Sequence, residues 1–191
     1  MSKQNFKTFR MKSLKTLLFF FGILLISKFT LAQGLNNEVV KANMIVDWER
    51  AKAYTKEYLD AMPEEGINFK PMPDIRSFAE QMLHMSQGTI GMITIGTGAE
   101  PIFPEKVLEK MDEYKNKIAL TKIVMACYDY AIESIKNMDA SKMDNLVKRG
   151  NYVTDQFGWL NKSFEHQTHH RAQTTIYLRL KGIKPPNEKL F

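Results

Sequence analysis

Glu165-His166-Gln167-Thr168-His169-His170-Arg171-Ala172-Gln173 places three of the chain's four histidines within five residues. The segment around it, residues 154–181, reads as one long helix, with Gly182 just past its end and Pro185-Pro186 blocking continuation. Residues four apart differ by about 40° around a helix, so His166 and His170 share a face. Trp159, Gln173 and Tyr177 fall within about 40° of that face, a stripe of large side chains of the kind a bundle buries. His169 falls about 60° to the other side and is expected to look elsewhere.

Working outward, three more segments have helical character. Residues 37–62 carry Val40, Met44, Ile45, Trp48, Ala51, Tyr54, Tyr58 and Leu59 near a 3.6 period, closed by Pro63 and Gly66. Pro71 and Pro73 mark a loop before Ser77-Phe78-Ala79-Glu80, a capping box that opens a second helix running to about Thr94 and stopping in Gly96-Thr97-Gly98. A charged stretch, 105–117, is expected to be partly helical. The third helix is placed at 121–136 with Thr121 as its cap. Residues 137–151 are polar and broken, with a short turn expected at 143–147, and no segment reads as a strand ladder. The fold class is therefore all-α, a four-helix bundle. Cys127 is the only cysteine and sits in an apolar helical stretch, so no intrachain disulfide forms and a buried, inert thiol is expected.

The 191 residues carry 27 Lys and Arg against 21 Asp and Glu, a formal charge of +6. Six of those bases and no acid fall in residues 1–32, leaving 21 against 21 in the rest. A neutral body gives no broad electrostatic footprint for nucleic acid. Residues 1–32 read instead as a signal peptide: a basic start, an apolar run at 17–26, and Thr30 and Ala32 before a cut ahead of Gln33. Ten apolar residues are too few for an ordinary spanning helix, which needs roughly 20. An uncleaved anchor over 14–31, interrupted by Lys15 and Lys28, is the competing reading. The expectation is an exported protein of the periplasm or cell envelope, with one domain over 33–191 and no stable membrane span after cleavage.

Two imidazoles at i and i+4 can chelate a divalent ion, and a third from another helix completes a three-histidine set. His84, in the middle of the second helix, is the one candidate outside the fourth. Gly88 and Gly91 lie on nearly its face, and each costs roughly 1 kcal/mol of helix propensity relative to Ala. They are expected to leave space beside His84. Spacing alone leaves both readings open, metal ligands or hydrogen-bonded core histidines.

Taken together, these motifs resemble the DinB/YfiT-like family of up-down four-helix bundles, over about 40–186. The matching residues are Phe69-Lys70-Pro71-Met72-Pro73, then Ile75-Arg76-Ser77-Phe78-Ala79-Glu80 with His84 four residues later. His166-Gln167-Thr168-His169-His170-Arg171-Ala172-Gln173 and Leu178-Arg179-Leu180-Lys181-Gly182 complete the match. Ala172 stands where the family usually has Gly. The resemblance implies that His84, His166 and His170 hold a divalent metal ion, usually zinc or nickel, and that the chain could form a homodimer. It also implies chemistry of the thiol-transferase or isomerase kind, with a low-molecular-weight thiol activated by the metal.

Export argues against that thiol role, because such thiols are held in the reducing cytoplasm. A metal-dependent hydrolase acting on an unidentified small-molecule substrate fits an exported protein better. Glu80 is the nearest candidate base, although its capping role already accounts for it. A non-catalytic metal-binding or interaction module of the cell envelope is the third reading.

Overall fold

The computed structural model describes residues 36–104 and 107–191. The leader expected over 1–32 and the first two residues of the charged 105–117 stretch lie outside them. Four helices carry the fold: α1 (Asn37–Ala61), α2 (Phe78–Thr97), α3 (Lys117–Asn137) and α4 (Gln156–Leu180). α2 packs on both α3 and α4, while α1 packs mainly on α3. Among the described residues, no helix is long and apolar enough to cross a membrane.

Local chemistry explains the helix boundaries. Pro63 disfavours helical geometry at Met62 and leads into a single 3-10 turn, Glu64–Gly66. The capping box at α2 is present as expected: Ser77 Oγ accepts from the Glu80 N–H at 3.2 Å, and the Ser77 N–H donates to Glu80 Oε2 at 2.8 Å. α2 ends at Gly98, whose left-handed φ of 75° lets its N–H return to the Thr94 carbonyl. Gly96 does not stop the helix. A Cβ there would lie 2.8 Å from Leu160 Cδ2, so this glycine lets α4 approach closely.

Two expectations are corrected. α3 begins a turn earlier than Thr121, because Asn116 Oδ1 accepts from the Ala119 N–H at 2.9 Å and caps the helix there. The 105–117 stretch is helical in part, as expected, through two 3-10 turns, Leu108–Lys110 and Asp112–Tyr114. The 137–151 segment holds more than a turn. After a 3-10 turn at Ala140–Lys142, strand β1 (Leu146–Arg149) pairs antiparallel with β2 (Tyr152–Asp155), Arg149 opposite Tyr152. Gly150, at φ 59°, takes the first central position of the two-residue turn, as tight hairpins require. Asp155 then caps α4 by accepting from the Gly158 N–H at 2.6 Å.

The core is apolar around one polar knot. Trp48 of α1 is fully buried and meets Tyr128 of α3 and Phe164 of α4 edge-on, with ring centroids 5.8 and 5.5 Å away. The Tyr128 hydroxyl lies 2.6 Å from Thr55 Oγ1 and donates to Gln167 Oε1 at 2.8 Å, so one hydroxyl joins α1, α3 and α4. Cys127 is buried, as expected, and burial pushes its thiol up to about 12.

Candidate metal centre

Pairing α2 with α4 brings the three expected histidines together. Ring centroids are 4.3 Å apart for His166 and His170, 4.6 Å for His84 and His170, and 5.5 Å for His84 and His166. One ring nitrogen from each lies within 4.8 Å of the other two, a grouping that could hold a metal ion. His169 stays outside this group. It is exposed, edge-on to His170 at 4.9 Å, and its Nε2 meets Gln173 Nε2 at 2.9 Å.

Neighbouring side chains orient the rings. His84 Nδ1 lies 3.3 Å from Glu109 Oε2, and that carboxylate also takes a 2.9 Å hydrogen bond from Arg76 Nε. The Arg76 carbonyl in turn accepts from the Tyr177 hydroxyl at 2.8 Å, pinning the loop before α2 onto α4. With Nδ1 engaged by a carboxylate, His84 keeps Nε2 as its free lone pair. His170 Nδ1 meets the Gln81 side-chain amide at 2.9 Å, and Gln81 also touches Gln173. It is the Gln81 amide nitrogen that faces the ring, and the same nitrogen donates to Gln173 Oε1.

Two observations test whether the residues fit a metal. His166 Nδ1 is buried with no hydrogen-bond partner among the described residues, an arrangement that costs free energy unless something else satisfies it. A Cβ at Gly88 would lie 2.3 Å from His166 Cε1 and 2.8 Å from both ring nitrogens, so α2 yields space to that imidazole. The expectation for the glycines is therefore half right. Gly88 serves His166, while a Cβ at Gly91 meets nothing within 4 Å.

Electrostatics favour the neutral, metal-competent imidazole. Burial first, then the neighbouring histidines and Arg76, pushes His166 and His170 down to about 4. His84 is lowered by burial and Arg76, with Glu109 partly opposing. Three neutral imidazoles form a donor set suited to zinc, nickel or copper and poorly suited to magnesium or calcium. The residues fit.

Beside the cluster lies a cavity of about 590 Å³ whose walls include Lys70, Arg76, Glu80, Gln81, Glu109 and Gln173. Glu80, the candidate base of the sequence reading, is committed elsewhere. Although burial pushes its carboxyl up, the Ser77 amide and Lys70, 3.0 Å away, hold it below the usual range. Arg76, Gln81 and Glu109 are the residues that sequence reasoning missed. Gln81 had a signal, lying one turn before His84 on the same helix; Arg76 reaches the site from a loop and Glu109 from a 3-10 turn.

Fold and site together define a helical-bundle protein with a three-histidine cluster able to hold a metal ion. The sequence profile of the DinB family matches residues 35–190, and the chain belongs to that family. Solved structures agree in fold. A DinB-like protein from Bacillus cereus ATCC 10987 superposes with a TM-score of 0.66 at 17% identity, over 76% of this chain and 95% of that one. For a DinB-like protein (YjoA) from Bacillus subtilis the values are 0.60, 16%, 78% and 96%. A conserved protein from Enterococcus faecalis gives 0.60, 16%, 74% and 96%. None of the curated proteins matches the chain.

Proposed function

We propose that this chain is an exported, metal-dependent hydrolase that holds one zinc or nickel ion through His84, His166 and His170. The orphaned, buried Nδ1 of His166 within the cluster is the observation that carries the metal reading. A bound divalent ion supplies Lewis acidity toward a carbonyl or phosphoryl oxygen and toward water. The protein's own residues do the rest. Glu109, already engaged by Arg76 and His84, orients His84 and is not free to act as a base. Arg76 and Lys70 line the cavity, each paired with a carboxylate of the same wall, Glu109 and Glu80. The composition of residues 1–32 supports export with cleavage after Ala32.

The test begins with elemental analysis of protein purified without chelator, beside a His166→Ala/His170→Ala variant. About one equivalent of zinc or nickel in the first and none in the second is expected. Metal-loaded protein then meets a panel of esters, amides and phosphoesters. Absence of turnover across that panel sinks the hydrolase reading. Thiol-dependent consumption of an electrophile would instead make the protein a thiol transferase. Tight metal binding with neither activity would leave a non-catalytic envelope module. Terminal sequencing of the exported form is expected to begin at Gln33.

A further inference from the structure

A second cavity, of about 560 Å³, opens where α1, α4 and the tail at 184–190 meet, and its lining shares no residue with the cavity beside the histidines. Arg171 reaches into it, only 6% exposed. Its Nη1 donates to Gln167 Oε1 at 2.8 Å, and the guanidinium sits 4.6 Å from the centre of the Tyr54 ring. Among the described residues no carboxylate comes within ion-pair distance of it. Buried charges are ordinarily paired, and the partners here, the Gln167 amide oxygen, the Tyr128 hydroxyl and one aromatic face, are all neutral.

The rest of the lining leaves that charge unbalanced. Arg50 is paired with Asp47 at 2.8 Å, and Lys189 with Glu57 at 2.5 Å. Arg179 and Lys184 have no ion pair among the described residues, and Glu188, exposed on the tail, is the one acid in the lining. Around Arg171 the walls are Tyr54, Phe164 and Pro185, flat apolar surfaces that suit a hydrocarbon or aromatic body. No main helix presents its N-terminus here, so the cavity lacks the converging backbone N–H groups that commonly receive a phosphate.

We propose that this cavity binds a small organic carboxylate with an apolar body, its carboxylate received by the Arg171 fork and its body by Tyr54, Phe164 and Pro185. A planar guanidinium carries five N–H donors, more than its bonds to Gln167 and Tyr128 use, and matches a carboxylate in two-pronged fashion. Arg171 follows His170 directly, about 100° further round α4, so one helix serves two separate cavities.

Calorimetric titration of the full, metal-loaded chain with hexanoate and benzoate tests this, with hexanamide and inorganic phosphate as controls. Saturable binding of at least one carboxylate is expected, with hexanamide and phosphate at least tenfold weaker. Arg171→Gln should weaken the carboxylate at least tenfold while the metal content, a check on α4, stays unchanged. If that variant does not fold, Arg179→Gln/Lys184→Gln on the rim should weaken binding severalfold. No saturable heat from either carboxylate would overturn the proposal. So would hexanamide or phosphate binding as tightly as the carboxylates, or Arg179→Gln/Lys184→Gln and Arg171→Gln both binding as the parent does.

Discussion

Gly88 makes the sharpest residue-scale case, because its missing side chain is occupied by another residue's ring. Gly88→Ala must displace His166, and metal affinity is expected to fall at least tenfold in a competition titration. Gly91→Ala, on open surface, should leave affinity unchanged and stabilise α2 by up to about 1 kcal/mol. The histidines also set a pH dependence in the metal-free protein. His166 and His170 fall from an ordinary 6.5 to about 4 on folding, so the unfolded chain takes up protons first as pH drops. Stability is full above 6.5, declines between 6.5 and 4, and levels off below. Because both rings are partly screened by solvent, the loss should be on the order of 1–2 kcal/mol, well short of full linkage. Urea midpoints at about pH 7.5 and about pH 4.5 measure it, and the His166→Ala/His170→Ala variant should show a flatter curve. The triad was legible because i,i+4 geometry is local and His84 was the one remaining candidate. Glu109 was not, since its position depends on a path of 3-10 turns that no hydrophobic period encodes.

Among the elements, α1, α2 and α4 announced themselves through periodicity, a capping box, and the Gly182 stop, where φ is 72°. α3 was legible in type and wrong at its start. The eye follows the apolar period back to Thr121, yet the helix is set by a side-chain oxygen one turn earlier. Asn116→Ala should therefore cost about 1 kcal/mol in urea unfolding, and Thr121→Ala clearly less. The hairpin of β1 and β2 went unread although Gly150-Asn151 between Val147 and Val153 is a recognised turn signal. Its strands are four residues each, and Leu146, Tyr152 and Val153 remain exposed, so the pairing buries little and leaves no alternation to detect. Its role is positional: the Trp159 indole N–H donates to the Val147 carbonyl at 3.2 Å, tying the hairpin to the first turn of α4.

For the molecule as a whole, the hydroxyl of Tyr128 does what no pair of helices can do alone, fixing three of them relative to one another. Tyr128→Phe removes the partner of Thr55 and one of the two donors to Gln167, a loss of about 1–3 kcal/mol in urea unfolding. The histidines are held by α2 and α4, so metal content should survive that change. Cys127 has a bearing on how such motions can be watched. With its thiol buried and held at about 12, the chain is chemically silent toward maleimides and nitroxide reagents near neutral pH. A cysteine placed on the surface, as in Ile118→Cys, would be the one site to take the label. Two such surface cysteines would carry a spin or fluorophore pair and report distances across the native bundle without first deleting a natural thiol.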